Sequence, residues 1–426
     1  MYKCFIENNF FFEETMTLSR NSAKKLRYSV YFILLVVSFI IILRYLGNKK
    51  ISRELVLNTT NENIEPKLIL IYNTLWGSKL WTGLETTEKW NNWGGHPCKV
   101  QNCRVTYNKK LLSKADVVLF HAFGSDMLTR RELLKIQKDR NPNSYWIYFL
   151  HECPHNAKPE PYLYDGLFNW TMGYRHDADI FVPYNWEWGS WEEKSLDEKS
   201  TPFRNHAEDK DKLIWSGISH CGCMREHYIH KLREFINVDV FGNCANKFYK
   251  DKTPPVCQRG TAECKARLKR YKFYLAFENS FCEDYVSEKF SETILDGHTV
   301  PIVMGGANYK KIALPNSYID VNDFDTIEDL ANYIKYLDEN DNAYNKHFEY
   351  KKTWKLGKPR AWSCKICEMI NSIDLKPKSY EKLGDWYSVQ NTCGTRLNKL
   401  RKIMHKSGVP HPYTDEYYLY DYEVDV

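Results

Sequence analysis

Short apolar runs separated by helix-length segments recur along this chain, and that alternation restricts its fold more than any other feature. KLILIY (67–72), ADVVLFH (115–121), SYWIYFLH (144–151) and DIFVPY (179–184) each have the length of a strand, with a helix predicted over 129–138. Residues 192–212 are almost all polar, as a linker would be, and then the pattern restarts. Strands are expected at 213–219, 238–241, 273–277, 300–304 and 318–321, and helices at 225–235, 285–296 and 326–337. Apolar strands alternating with helices build parallel sheets covered on both faces. The expectation is an α/β protein of two Rossmann-like domains with a cleft between them: an N-terminal domain over 66–200 and a C-terminal one over 201–374. Residues 375–426, rich in Lys, Tyr and Asp, receive no element.

Ahead of these domains stands YSVYFILLVVSFIIIL (28–43), an uncharged stretch flanked by Lys24, Lys25, Arg27 and Arg44. No small-residue cleavage site follows it, so an uncleaved signal anchor over 28–46 is expected rather than a signal peptide. Residues 1–27 would be a cytosolic tail, and the polar stretch 47–65 a stem. The span is short, which suits thin membranes early in the secretory path. Of 13 cysteines, Cys4 falls in the tail and the other twelve on the luminal side, where disulfides form. Sequons at Asn58 and Asn169 agree with a luminal location. The net charge of +6 is spread along the chain. It forms no stripe that would bind nucleic acid, but it is compatible with a small anionic ligand.

The stretch with most chemistry is YKFYLAFENSFCEDYVSEKF, 271–290. A strand ends at Glu278-Asn279-Ser280, where ligands bind in parallel α/β sheets. The helix expected next would start near Tyr285 and offer free N–H groups and a positive dipole end to a phosphate. Lys289, four residues on from Tyr285, adds a full charge. Glu288 and Asn279 have the polar groups to grip sugar hydroxyls. The stretch therefore reads as a nucleotide-diphosphate site, although it holds no P-loop or GxGxxG. A solvated helix face with one Glu-Lys pair remains the ordinary alternative.

These twenty residues resemble the signature of the α1,3-fucosyltransferases, glycosyltransferase family 10. LFNWTMGYRHDADIFVPY (167–184), HTVPIVMGGANY (298–309), SYIDVNDF (317–324) and the pair Cys364, Cys367 extend the resemblance over about 67–370. It implies a GT-B fold, GDP-fucose as donor, a glycoprotein glycan as acceptor and a type II protein anchored in the Golgi cisternal membrane. It also implies donor-binding roles for Tyr274, Asn279, Tyr285, Glu288 and Lys289, and for Arg225 and Ser219 around a His220–Cys223 loop that departs from common members. By the same resemblance, Glu152, in SYWIYFLHECPHN, is the general base, ahead of its neighbours His151 and His155. Cys98 and Cys103 would pair with Cys364 and Cys367. The reaction would be an inverting transfer of fucose to O3 of a GlcNAc, with the long tail after Cys367 favouring the N-glycan core over LacNAc.

Two Asp-x-Asp triplets, Asp177/Asp179 and Asp323/Asp325, have the form of a metal clamp on a sugar nucleotide. Both adjoin expected strands and neither adjoins 271–290, so they are read as strand-edge acids. No metal or other cofactor is required, and manganese or magnesium is expected at most to stimulate. Half zinc sites at Cys364/Cys367 and at His220, Cys221, Cys223 and His227 are the alternative to disulfides. Two other functions stay open: an inactive membrane-anchored glycan-binding protein, and a metal-dependent transferase of another sugar.

Overall fold

The computed structural model describes residues 65–410, apart from 94, 185–190, 222–223, 246–256, 258–260, 358–360 and 395. The expected tail, anchor and stem, with Asn58, lie outside the described residues. Among the described residues no helix is long and apolar enough to cross a membrane. The chain divides into units Met1–Glu65 and Pro66–Val426.

Two parallel sheets carry the second unit. The first sheet contains β1 (Lys67–Ile71), β2 (Cys103–Thr106), β3 (Val117–His121), β4 (Tyr145–Leu150), β5 (Trp170–Gly173) and β6 (Ile180–Phe181). Their order is β2-β1-β3-β4-β5-β6 and every pairing is parallel. Alternate residues enter different cores. Leu70, Val118, Phe120, Trp146 and Tyr148 face one side, and Ile69, Ile71, Val117, Leu119, Ile147 and Phe149 the other. Burial on both faces is why these strands read as continuous apolar runs. The capping box of Thr129 and Glu132 starts α1 (Arg130–Ile136), where a helix was expected.

The second sheet contains β7 (Lys212–Gly217), β8 (Val238–Phe241), β9 (Tyr271–Phe277), β10 (Val300–Met304) and β11 (Ile319–Asp320), in the order β8-β7-β9-β10-β11. Helices α2 (Met224–Leu232) and α4 (Ile327–Glu339) cover one face: Ile229, Ile327, Leu330 and Ile334 pack on Ile214, Phe273, Leu275 and Ile302. Helix α3 (Glu288–Asp296) covers the other, laying Phe290 and Ile294 against Ala276 and Val303. Both sheets thus share one order, with the direction of winding reversing beside β1 and beside β7.

Several expectations need correction. Helix α3 begins at Glu288, not Tyr285, because Ser287 caps it, its side chain accepting the Lys289 N–H. Tyr285 therefore lies before the helix and shares no face with Lys289. Strands β2 and β5 were not expected. The polar stretch 192–212 is not merely a linker: Trp191–Glu193 pairs antiparallel with Trp354–Leu356, and Leu196–Lys199 is helical. The C-terminal tail is structured too, with short helices Leu383–Trp386 and Val389–Thr392 followed by α6 (Leu397–Lys406), which buries Leu397, Leu400 and Met404 in the second core.

Helix α5 (Trp362–Ile370), assigned from sequence to the second domain, packs on the first sheet, where Trp362, Ile366 and Ile370 join Ile69 and Phe149. Disulfides Cys98–Cys364 and Cys103–Cys367 fasten it there, in agreement with the expected pairing. Three more join Cys221 to Cys244, Cys257 to Cys264 and Cys282 to Cys393. These bonds remove both proposed half zinc sites, since Cys221, Cys364 and Cys367 are no longer thiolates. Cys153 remains a buried thiol, so the twelve cysteines after Cys4 are not all paired with one another as their even number implied, and Cys223 lies outside the described residues. Asn169 is held on both ends of its amide. Oδ1 accepts from Arg140 Nη2 (2.6 Å) and the Trp146 N–H (2.9 Å), and Nδ2, the atom a glycan would join, donates to the Lys378 carbonyl (2.7 Å). That placement counters the expectation of a glycan there.

Candidate active site

A cavity of about 580 Å³ opens at the carboxyl ends of β7 and β9, where the winding of the second sheet reverses and ligands of such sheets bind. Ser219, Arg225, Tyr274, Asn279, Glu288 and Lys289 all line it. Six of the seven residues expected to hold the donor are therefore brought together. One end is apolar, where Trp215 stacks on Phe241 with ring centroids 3.9 Å apart beside the Cys257–Cys264 disulfide. The other end is charged. An elongated ligand with a flat ring at one end and anionic groups at the other matches this division.

The charged end is assembled around a residue sequence reasoning did not single out. Glu278 is fully buried, and its carboxylate accepts from the Ser287 N–H (2.8 Å) and the Ser287 hydroxyl (2.6 Å). It thereby fastens the N-terminus of α3 to the end of β9. Burial pushes its carboxyl above the ordinary value, against the nearby Lys289 ammonium and the Ser287 bonds. Lys289 Nζ donates to Ser287 Oγ and to Glu288 Oε1, both at 3.0 Å, and lies 3.7 Å from Glu278. The signal was present in Ser287-Glu288, a cap followed by a first-turn acid.

Arg225 is 2% exposed and spans the gap between β7 and β9. Nη1 donates to the Phe277 carbonyl (3.0 Å) and Nη2 to that of His220 (2.6 Å). These bonds fix its guanidinium in the cavity wall, a planar donor group presented at low conformational cost. Asn279 Oδ1 is buried without a hydrogen-bond partner. It is an acceptor waiting for a hydroxyl or an amide.

Tyr285 does not line this cavity. Its hydroxyl donates instead to Glu152 Oε1 at 2.8 Å and receives one from Tyr184 at 3.3 Å. Glu152 stands just beyond the carboxyl end of β4. It also accepts at Oε1 from the Cys153 N–H (2.9 Å) and from Asn156 Nδ2 (3.4 Å). All three bonds fall on Oε1, and Oε2 accepts none of them. From the C-terminal tail, Tyr387 donates to the Glu152 carbonyl. Cys282 and Tyr285 belong to the first core, together with Leu150, Cys153, Leu383 and Tyr387. The turn from Asn279 to Lys289 thus has its ends in the cavity and its middle on the acid of the other sheet.

The two histidines beside the acid are otherwise engaged. His151 Nε2 bonds the Val182 carbonyl (2.6 Å), its ring stacks on Tyr184, and burial brings its pKa down to about 4. His155 Nδ1 pairs with Ser280 Oγ (2.7 Å), and burial lowers its pKa as well. His155, Cys153 and Cys282 could group around a metal ion, but the disulfide to Cys393 takes Cys282 from the set. The Asp-x-Asp residues stand apart from the cavity. Asp177 pairs with Arg175 (2.7 Å), Asp179 accepts from the Thr171 N–H (2.9 Å) and from Lys378, and Asp325 is 3.8 Å from Lys406.

The chain matches two family models: "Fucosyltransferase, N-terminal" over 64–185, and "Glycosyltransferase family 10 (fucosyltransferase) C-term" over 207–386. Among curated proteins it is 32% identical over 342 residues to the Drosophila melanogaster "Glycoprotein 3-alpha-L-fucosyltransferase A", covering 78% of this chain and 62% of that one. It is 31% identical over 321 residues to the Drosophila "Alpha-(1,3)-fucosyltransferase C", covering 70% and 71%. The human "Alpha-(1,3)-fucosyltransferase 4" is 31% identical over 60% of this chain and 47% of its own length. A crystal structure of an α1,3-fucosyltransferase with GDP aligns at 18% identity and a TM-score of 0.42, covering 76% of this chain and 88% of that one.

Proposed function

Because the chain belongs to glycosyltransferase family 10, the fucosyltransferases, we propose that it transfers L-fucose from GDP-fucose to O3 of a GlcNAc on a glycoprotein glycan. The carrying observation is the hydrogen bond from Tyr285 to Glu152, which joins the turn whose ends line the nucleotide cavity to the acid beyond the carboxyl end of β4 in the first sheet. On this reading the two sheets are the halves of a GT-B fold. GDP lies in the cavity of the second, its base at the Trp215 end and its diphosphate at Lys289, Arg225 and the N-terminus of α3. Asn279 and Glu288 take hydroxyls of the donor.

Glu152 Oε2 removes the proton from the acceptor hydroxyl as its oxygen attacks the anomeric carbon. The bond from that carbon to the β-phosphate oxygen breaks, and GDP leaves with the electron pair. Inversion follows from attack opposite the leaving group. Charge growing on the diphosphate is met by fixed donors rather than by reorganising water. Lys289 and Arg225 supply this charge from the protein, so the reaction should survive chelation, with manganese or magnesium at most stimulating.

The N-glycan core is the favoured acceptor. Its support is the structured tail beyond Cys367, which puts Tyr387 on Glu152, and the likeness to a relative named for glycoprotein substrates. The anchor at 28–46 would hold the enzyme in the Golgi membrane with its catalytic part luminal. The test incubates the detergent-solubilised full chain with GDP-fucose, an N-glycan core glycopeptide and a LacNAc oligosaccharide, with and without EDTA. Fucose on the core, retained in EDTA, is expected. Transfer to LacNAc alone would overturn the acceptor, and GDP binding without any transfer would overturn the activity.

A further inference from the structure

The two sheets share a strand order, so the place that holds the donor cavity beside β7 has a counterpart beside β1. That counterpart, between the carboxyl ends of β1 and β3, is the switch point of the first sheet, where an open α/β sheet binds ligands. The loop from Asn73 to Trp81 occupies it. Leu75 and Ser78 face each other across a two-residue turn, each donating its N–H to the other's carbonyl at 3.0 and 2.9 Å. Trp76 and Gly77 have φ of 51° and 78°, both positive, as in a type I′ turn. Such turns favour Asn, Asp or Gly at the first central position, and a bulky side chain there is an outlier. Trp76 is nevertheless in place, and it is 55% exposed, so neither turn chemistry nor core packing accounts for it.

The indole is firmly held. Its ring rests against His121 and Phe123, with centroids 4.9 and 4.4 Å away. The turn beneath it is pinned through Asp126, which accepts from the Gly77 N–H (3.1 Å) and from Thr74 Oγ1. Asn73 Nδ2 ties the same loop to the His121 carbonyl at 2.7 Å. His121 ends β3, the direct neighbour of β4, which leads to Glu152. Strands β1 and β4, which lead to the platform and to the acid, lie two strand spacings apart, about 10 Å, a separation a disaccharide can bridge.

We infer that Trp76 is a stacking platform for a sugar of the acceptor adjacent to the one that Glu152 deprotonates, an inference that rests on the fucosyltransferase reading above. A flat, preorganised aromatic face receives the apolar C–H face of a pyranose while its hydroxyls stay in water. It adds affinity for an extended glycan without touching the reacting atoms.

The test compares Trp76→Gly and Trp76→Phe with wild type in the detergent-solubilised full chain. Gly suits the turn; Asn is avoided because Asn-Gly-Ser would create a sequon. Measured are Tm, KM for GDP-fucose, and KM and kcat for an acceptor oligosaccharide and for a single GlcNAc glycoside. Trp76→Gly should match or exceed wild type in Tm and leave the donor KM and the single-sugar kinetics unchanged. It should raise the oligosaccharide KM tenfold or more, and Trp76→Phe should restore most of the difference. An unchanged oligosaccharide KM, or an equal change for both acceptors, overturns the inference alone. Wild-type inactivity toward both acceptors overturns the fucosyltransferase reading and this inference with it.

Discussion

On the proposed mechanism, replacing Glu152 by Gln isolates proton transfer from the hydrogen bonds this residue makes. The three hydrogen bonds at its side chain, from Tyr285, Cys153 N–H and Asn156, all reach Oε1. A Gln carbonyl in that position accepts all three, so Glu152→Gln should cost no more than about 1 kcal/mol of stability. Its NH2 then stands where Oε2 stood and cannot take a proton. General-base assistance contributes roughly 10²–10⁴-fold, or about 2.7–5.4 kcal/mol of barrier. Turnover at saturating GDP-fucose should fall by that factor, while GDP affinity by calorimetry and Tm stay at wild-type values. Glu152→Ala is the weaker experiment. It strands the Tyr285 hydroxyl and the Cys153 N–H without a partner, at about 1–3 kcal/mol each, so its lost activity would mix chemistry with unfolding. Turnover of Glu152→Gln within tenfold of wild type, with Tm intact, would refute the assignment of the base.

Other perturbations probe the donor side and the frame. Lys289→Met should lower kcat/KM for GDP-fucose by roughly 10²–10³, the usual loss for one fixed charge-stabilising donor, while leaving the acceptor KM alone; a pure acceptor effect would contradict the site. Burial raises the Glu278 carboxyl above 4.5, so folding favours its protonated form. That contribution is complete below the unfolded value and is lost as pH rises through the raised one. Urea midpoints should therefore decline over that range in wild type and flatten in Glu278→Gln. Cys98–Cys364 and Cys103–Cys367 close nearly the same loop, with separations of 266 and 264 residues. Removing either should cost little and removing both about 5 kcal/mol; additive losses on urea titration would show that they act independently.

How legible each element is in the sequence depends on where it finds its stabilising contacts. Strands β1, β3, β4 and β9 are buried on both faces, so their apolar runs are visible without any partner. β2 (CRVT) and β5 (WTMG) are short and mixed, and only their neighbours make them strands. The start of α3 was misplaced because Tyr285 looks like a first-turn aromatic, when its ring belongs to the core under the other sheet. The helices at 383–386 and 389–392 are four residues each, too short to declare themselves by periodicity, whereas α6 spaces Leu397, Leu400, Ile403 and Met404 along one helical face, a pattern passed over because the tail around it is so polar. Within the site, Asn279 and Lys289 could be singled out from the residues themselves, one just after an apolar strand and the other on the helix that follows, whereas Glu152 and Arg225 were named only by resemblance to the family. The roles of Glu278 and Trp76 could not be read in this way, since one works by holding the Ser287 cap of α3 out of sight and the other owes its place to a backbone conformation.

The return of α5 to the first sheet has a consequence for synthesis. Ile69 and Phe149 leave the ribosome early, yet the apolar surface they form is covered by Trp362, Ile366 and Ile370. Cys103 waits 264 residues for Cys367, a delay of about 13–50 s at ordinary elongation rates. Through that interval the nascent chain carries an open hydrophobic face and two thiols seeking partners. The emergence of the last quarter of the chain, rather than the completion of each sheet, therefore sets when either half stops presenting apolar surface and open thiols to chaperones and thiol oxidases.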